Sequence, residues 1–445
     1  MIALKIIVGI ILILLYLVMM GIMIIFERDK PKNIIIWSII FLFTTFVGYV
    51  IYLFIKREMY QKRNSIMLKQ KEDGIYTGLV GKNLNTFNAI SGVDLFDFNA
   101  LAFGTVATKN NDLELISDHN KFFVDLKKEI KNATKSIVFE ISKFGIENKE
   151  ITEELIAKSN AGVQICIVLD QRIPRKLKKE FKNSKIRLVR FGKHNSIDKM
   201  YQNRRDVVVI DGRVAYLSNF YLTEKELQNK TAIETLFLKI KGDIVQDITL
   251  KAYQDMSFAR GKHIEMDKCP ISICDNQNVM QYIANEFDQE IDLLIIKAIC
   301  SAKKSIQLEL KEFVPSESIM SLLKYAINSN IQVRLIVPLK SINKEKYYAS
   351  RAYAKELALL GAGVYLFDGY VKFNAITIDD EYVITGSFIL DRDYIKSSLQ
   401  NVLVISDEKV VEKFNKLFEK GINNSYKINN AKYMLLREKF FKNFI

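Results

Sequence analysis

The sequence predicts a duplicated α/β fold behind a two-helix membrane hairpin, and three observations carry that expectation. Two uncharged apolar stretches open the chain, helices alternate with short apolar strands after them, and the alternation is written twice. At 445 residues, 49% of them hydrophobic, core size is no constraint.

Residues 6–26 and 34–55 carry no charged side chain, and each reaches the ~20 residues that cross a bilayer's hydrocarbon. A signal peptide would have a shorter apolar core and a small-residue cleavage site before Glu27. The intervening ERDKPKN has room only for a tight hairpin, which puts the N-terminus and residues 56–445 on one side of the membrane. Arg28, Lys30 and Lys32 lie in that loop, against Lys56, Arg57, Lys62, Arg63, Lys69 and Lys71 after the second helix. The excess places the body of the protein in the cytoplasm. The expected layout is a hairpin over 1–55, a linker over 56–105, two repeated units over 106–262 and 263–430, and a basic amphipathic tail over 431–445.

The repeat has three landmarks. NATKSIVFEI (Asn132–Ile141) corresponds to SAKKSIQLEL (Ser301–Leu310), GVQICIVLD (Gly162–Asp170) to NIQVRLIVPL (Asn330–Leu339), and RRDVVVIDGRVAYLSNF (Arg204–Phe220) to KFNAITIDDEYVITGSF (Lys372–Phe388). Each copy reads helix, strand, helix, strand, then a hairpin. Phe122, Phe123, Leu126 and Ile130 are helically spaced ahead of SIVFEI, as are Ile319, Leu322, Leu323 and Ala326 ahead of IQVRLIV. Such alternation predicts a sheet covered on both faces. In each hairpin an Asp followed by Gly or Asp stands between two apolar strands, a common turn chemistry, so Asp211 and Asp379 are expected to shape turns.

The balance of 65 Lys and Arg against 51 Asp and Glu gives a net charge of +14 and points to an anionic partner. The membrane hairpin makes that partner an acidic bilayer surface and counts against nucleic acid. RIPRKLKKEFKNSKIRLVRFGK (Arg172–Lys193) carries ten cations against Glu180, and membrane apposition is favoured over a merely solvated face. The tail AKYMLLREKFFKNFI suits either an interfacial helix or one docked on the protein's own core. Cys166, Cys269, Cys274 and Cys300 make neither a disulfide framework nor a zinc site, and no metal or cofactor is expected.

The two hairpins resemble the HxKxxxxD signature of the phospholipase D superfamily. From the second apolar helix onward the chain is similar to bacterial cardiolipin synthases, on FVGYVIYLFIKRE, LELISDHNKFFVDLKKEIKNATKSIVFE, VVVIDGRVAYLSNF and IDDEYVITGSFILDRD. The resemblance implies a duplicated phospholipase D-like fold with a pseudo-symmetric site between the halves. There one histidine attacks a phosphodiester, the other protonates the leaving alkoxide, and paired lysines hold the phosphate. In this chain Arg204 and Lys372 occupy the histidine slots, Asp206 and Asn374 the lysine slots, and only Asp211 and Asp379 fit.

The reaction needs a side chain that is nucleophilic when neutral and exchanges protons near neutrality, as imidazole does. A guanidinium stays protonated. Lys372 would need burial and a neighbouring cation to act. His119, His194 and His263 are the chain's three histidines, none of them in a motif slot, and the second repeat has no histidine after His263. Ser218, Asn219 and Tyr221, and later Ile389, replace residues usual around the signature; Gly386 and Ser387 are kept.

The expected function is therefore a membrane-anchored, catalytically inactive cardiolipin synthase-like protein of phospholipid metabolism, binding lipid or an active synthase. The alternative is an active phosphatidyltransferase with an unorthodox nucleophile. The candidate phosphate-binding set is Arg204, Asp206, Asp211, Lys372, Asn374 and Asp379.

Overall fold

A computed structural model describes residues 2–27, 31–72, 94–142, 149–170, 173–191, 202–218, 232–260, 274–285, 290–341, 343–391, 398–428 and 435–444. The chain divides into two compact units, residues 1–74 with 439–445, and 75–438.

In the first unit, α1 (Ile2–Phe26) and α2 (Pro31–Glu72, kinked at Thr45) contain the two spans long and apolar enough to cross a membrane, Gly9–Phe26 and Asn33–Phe54. Pro31 opens α2 at the position where a missing N–H costs nothing. Side chains such as Ile13, Ile25, Leu42 and Phe43 point outward, while Met23, Phe41 and Tyr52 are buried. Beside them Glu27 is 1% exposed and accepts from Asn33 Nδ2 (3.0 Å) and the Tyr52 hydroxyl (3.3 Å). A carboxyl among apolar helices requires such donors.

The second unit holds both repeats. The first runs α3 (Asp94–Phe103), β1 (Asn111–Ile116), α4 (His119–Lys131), β2 (Ser136–Ile141), α5 (Lys149–Asn160), β3 (Gln164–Leu169), α6 (Arg175–Glu180), β4 (Arg187–Arg190), β5 (Gln202–Asn203), β6 (Val207–Ile210), β7 (Val214–Leu217), β8 (Ala232–Glu234), β9 (Phe237–Gly242) and α7 (Ile244–Arg260). The second runs β10 (Val279–Ala284), α8 (Glu290–Ser301), β11 (Ser305–Glu309), β12 (Phe313–Val314), α9 (Glu317–Asn328), β13 (Gln332–Pro338), α10 (Lys344–Leu359), β14 (Gly363–Phe367), β15 (Gly369–Val371), β16 (Asn374–Ile378), β17 (Tyr382–Gly386), β18 (Leu390–Asp391), β19 (Ser398–Leu399), β20 (Asn401–Ser406), α11 (Glu408–Asn423) and β21 (Ser425–Lys427). A last helix, α12, spans Leu436–Phe444.

Two mixed sheets result, ordered β1-β9-β7-β6-β2-β3-β4 and β10-β20-β17-β16-β11-β13-β14-β21. The duplication is visible in the register. β2 is parallel to β3 and antiparallel to β6 (Ile137 opposite Ile210), and β11 is parallel to β13 and antiparallel to β16 (Ile306 opposite Ile378). Alternation divides each strand between two cores: Ile137, Phe139 and Ile141 join α4 and α5 on one face, and Val138 joins α7 on the other. The inner core draws on both repeats, with Val209, Ile248, Leu403 and Phe414 in one cluster.

The expected linker is partly regular structure. α2 runs on to Glu72, and α3 sets Leu95, Phe96 and Asn99 against the second repeat, where Asn99 Nδ2 donates to Gln281 Oε1 at 2.8 Å. Residues 73–93 lie outside the described residues. Of the basic run, Leu177, Phe181, Ile186 and Phe191 are buried and the cations from Arg175 to Arg187 are exposed. In the tail, Glu438 is fully buried, accepting from Lys355 Nζ (2.6 Å) and Arg351 Nε (3.3 Å) of α10, while Leu435 and Leu436 are exposed. Docking therefore holds at Glu438. Cys166 and Cys274 are buried free thiols and Cys300 an exposed one; Cys269, His194 and His263 lie outside the described residues.

Candidate functional site

Each signature hairpin turns in the same way. Asp211 (φ 54°) and Gly212 (φ 60°) in one copy, and Asp379 (φ 53°) and Asp380 (φ 60°) in the other, supply the two left-handed residues of a tight two-residue turn. Arg213 N then donates to Ile210 O, and Glu381 N to Ile378 O. The aspartates do more than turn. The Asp211 carboxylate accepts from the backbone N–H groups of Thr134, Lys135 and Ser136 at 2.8, 2.8 and 2.9 Å, and that of Asp379 from Lys303, Lys304 and Ser305 at 2.6, 2.7 and 2.7 Å. Both tie the hairpin turn to the start of the neighbouring strand. Neither lines the cavity described next.

At the other end of β6 and β16 the two repeats meet. β5 pairs in parallel with β19 of the second repeat, and β15 with β8 of the first. Arg204 N donates to Leu399 O (2.8 Å) and Lys372 N to Glu234 O (2.9 Å), so each histidine-slot residue is fixed by backbone from the other repeat. Between them lies a cavity of about 170 Å³, lined by Ser142, Arg204, Asp206, Lys311, Lys372 and Asn374 among others. That is below the ~300–1,000 Å³ of a pocket for a drug-sized ligand. It suits one small charged group.

The lysine slots also match. Asp206 Oδ1 accepts from Ser142 N (2.7 Å) and Asn374 Oδ1 from Lys311 N (2.9 Å), the residues just beyond β2 and β11. Ser142 Oγ adds a bond to Asp206 at 3.3 Å, and Asn374 Nδ2 donates to Phe388 O. Strand alternation would put Arg204 and Asp206 on one face, but residues 204–206 are not strand, and Asp206 sits at φ 44°. Both reach the cavity through that left-handed step. The Arg204 fork closes on Gln202 Oε1 (2.9 and 2.5 Å), and Lys372 Nζ lies 5.7 Å from the centre of the Tyr370 ring.

Burial pushes the Asp206 carboxyl up to about 6, against the lowering effect of Ser142, Arg204 and Lys311. The Lys311 amine is pushed down by burial and by the positive charges of Lys372 and Arg204, with Glu312 acting against them. Ser142 and Lys311 line the cavity although the motif did not name them. Their signal was the repeat itself, because they follow the matched strands at equivalent positions. Ser218, Gly386, Ser387 and Ile389 also line the cavity, and Asn219 and Tyr221 lie outside the described residues. His119 packs against Phe123 at 4.5 Å, away from the cavity.

Residues 295–422 match the family described as "Cardiolipin synthase, PLD-like domain". Along 92% of its length the chain is 26% identical to cardiolipin synthase 1 of Staphylococcus epidermidis, covering 89% of that protein. The chain is thus similar to the cardiolipin synthases along most of its length, and its second repeat matches their phospholipase D-like domain. The cardiolipin synthase of Staphylococcus aureus is 27% identical over 92% of this chain and 88% of its own. The phosphatidylserine synthase of Haemophilus influenzae shares the fold, with a TM-score of 0.59 at 12% identity over 80% of this chain and 97% of that one. The mixed α/β fold and the two apolar N-terminal helices accord with that similarity. Within the family frame, the cavity offers guanidinium and ammonium groups where the signature has imidazoles.

Proposed function

We propose that this chain is a membrane-anchored, catalytically inactive relative of the cardiolipin synthases that holds a phosphate-bearing lipid headgroup and works beside an active synthase, with its body in the cytoplasm. One observation carries the reading: both histidine slots are cationic, Arg204 and Lys372, and they face a cavity that Lys311 also lines. Guanidinium forks onto phosphate oxygens and ammonium serves as a point charge. A permanently protonated Arg204 can bind the group but cannot shuttle its proton. The motif set divides accordingly, with Arg204, Lys372 and Asn374 facing the ligand, Asp206 among them, and Asp211 and Asp379 holding the hairpins in place.

The test is expression in bacteria lacking every cardiolipin synthase, followed by lipid analysis. No cardiolipin is expected from this chain alone; purification in detergent with recovery of an active lipid-synthesis enzyme is expected from cells that contain one. Cardiolipin formed by this chain alone would overturn the inactive reading.

A second reading, phosphatidyl transfer through a lysine amine at Lys372 or Lys311, draws support from the lowered basicity of Lys311 beside two cations. In the same cells it requires cardiolipin that disappears with Lys372→Ala or Lys311→Ala.

A further inference from the structure

A carboxyl group in the wall of this cavity changes what the cavity can bind. Asp206 is 6% exposed and held by two donors of a single residue, Ser142. Its counterpart Asn374 has the same shape and an anchor in the same place, but no ionisable proton. The other charged groups lining the cavity are Arg204 beyond β5, Lys311 beyond β11 and Lys372 beyond β15.

We propose that a phosphodiester entering this cavity takes up a proton at Asp206, so that Asp206 sets the pH at which the site fills. The inference rests on the cavity being a phosphate site. An anion arriving beside a buried carboxylate is repelled, and low local dielectric strengthens the repulsion. Protonation removes that charge and turns an acceptor into a donor toward the ligand's oxygens, so that Asp206 no longer offsets Arg204 and Lys311.

The protonation is within reach. With the carboxyl raised to about 6, roughly a tenth of empty sites already carry the proton at pH 7. By reciprocity, a bound anion holds that proton more firmly. Affinity then climbs by at most about tenfold for each pH unit as pH falls toward about 6, and levels off below.

Four neighbours bear on the same range. Arg204 keeps its charge throughout. Lys311, made less basic by burial, would lose charge in the alkaline direction and weaken binding with the same sign. Glu312, next to it in the chain, is raised by burial, and so is Asp170, on which Arg204 acts from nearby. Replacing Asp206 separates its contribution from all of these. Asn suits the left-handed backbone at φ 44° and reproduces the Asn374 arrangement.

The experiment is calorimetric titration of the detergent-solubilised full chain with glycerophosphoglycerol, a diester whose charge is constant from about pH 5 to about pH 8, in buffers of different ionisation enthalpy. The wild type is expected to bind at least tenfold tighter at the lower pH and to take up close to one proton near pH 7. Asp206→Asn should bind almost equally at both ends, near the tighter value. Equal wild-type affinity at both ends, the absence of buffer-dependent heat, or an Asp206→Asn chain that keeps the wild-type pH ratio would each overturn the proposal and leave the phosphate site standing. Failure of the wild type to bind at either pH would overturn the phosphate site as well. The proton count comes from the wild type, so the test survives a variant that does not fold.

Discussion

Both repeats bury an acid at the same position, Glu140 near the end of β2 and Glu309 at the end of β11, but they surround it differently. The first sets Arg205 beside it: fully buried, Arg205 reaches Asp255 at 2.8 Å and donates to Asn285 O at 2.7 Å, while Asn203 Nδ2 donates to Glu140 at 2.5 Å. Beside Glu309 stands another acid, Glu234 at the end of β8. A buried charge must be compensated or neutralised. Both raise a buried carboxyl against a second acid, Glu140 against Asp255 and Glu309 against Glu234, and the first adds a guanidinium, so symmetric backbones have diverged in their electrostatics.

The largest effect should come from removing the first device. Arg205→Leu strands Asp255 and Glu140 without their cation and is expected to cost about 3–5 kcal/mol, the usual loss when one partner of a buried pair is deleted. Denaturant unfolding of the detergent-solubilised chain measures it. A midpoint unchanged from wild type would show that the acids are already neutral.

Next comes the second device, where the sign is opposite. Burial first and Glu234 second raise the Glu309 carboxyl well above its usual range. The folded state therefore holds a proton that the unfolded chain releases above about pH 4.3, and stability falls as pH rises from there toward the raised folded value. Each unit of displacement is worth about 1.4 kcal/mol. Glu309→Gln keeps a donor for Glu234 and removes the proton demand, so it should stabilise the chain at about pH 8 and change little at about pH 4. Unfolding midpoints across that range should be flatter for the variant, and a parallel loss at all pH values would count against the shared proton.

These contrasts show what could be read in the sequence. The fold was legible because apolar periodicity and a long repeat are properties of many residues at once: the strands SIVFEI and IQVRLIV lie paired in the sheets as their alternation implies. Arg204, Asp206, Lys372 and Asn374 could be expected together because the signature fixes their spacing, and all four line one cavity. Lys311 and Ser142 fall outside the signature, beyond a strand end where periodicity stops, and only their equivalent places in the repeat mark them. Arg205 lies between two named positions and is fully buried against Asp255, and a lone arginine in the sequence carries no signal of such burial.

Gly386 and Ser218 extend the comparison to the cavity wall. They are equivalent positions, yet Ser218 is a buried serine whose Oγ donates to Leu236 O at 2.5 Å, whereas Gly386 sits at φ 140° with the Asn401 carbonyl 2.6 Å from where a Cβ would stand. Gly386→Ser, which copies the first repeat into the second, should therefore cost more than about 1 kcal/mol. Retention of the wild-type midpoint would mean that β17 can shift away from β20.

The smallest contrast separates the two turn aspartates. Each accepts three backbone N–H groups, and each alanine variant should lose about 1–2 kcal/mol, as helix-capping carboxylates do. Asp211 has a further donor in the Thr134 hydroxyl at 3.2 Å, but Asp379 has the shorter bonds and is 9% exposed. Unmet donors cost more where water cannot replace the lost partner, so Asp379→Ala should exceed Asp211→Ala by less than about 1 kcal/mol. Neither residue touches the cavity, so both variants should keep wild-type affinity for glycerophosphoglycerol under conditions where they remain folded. A variant that is folded but no longer binds would move its aspartate from the scaffold to the site.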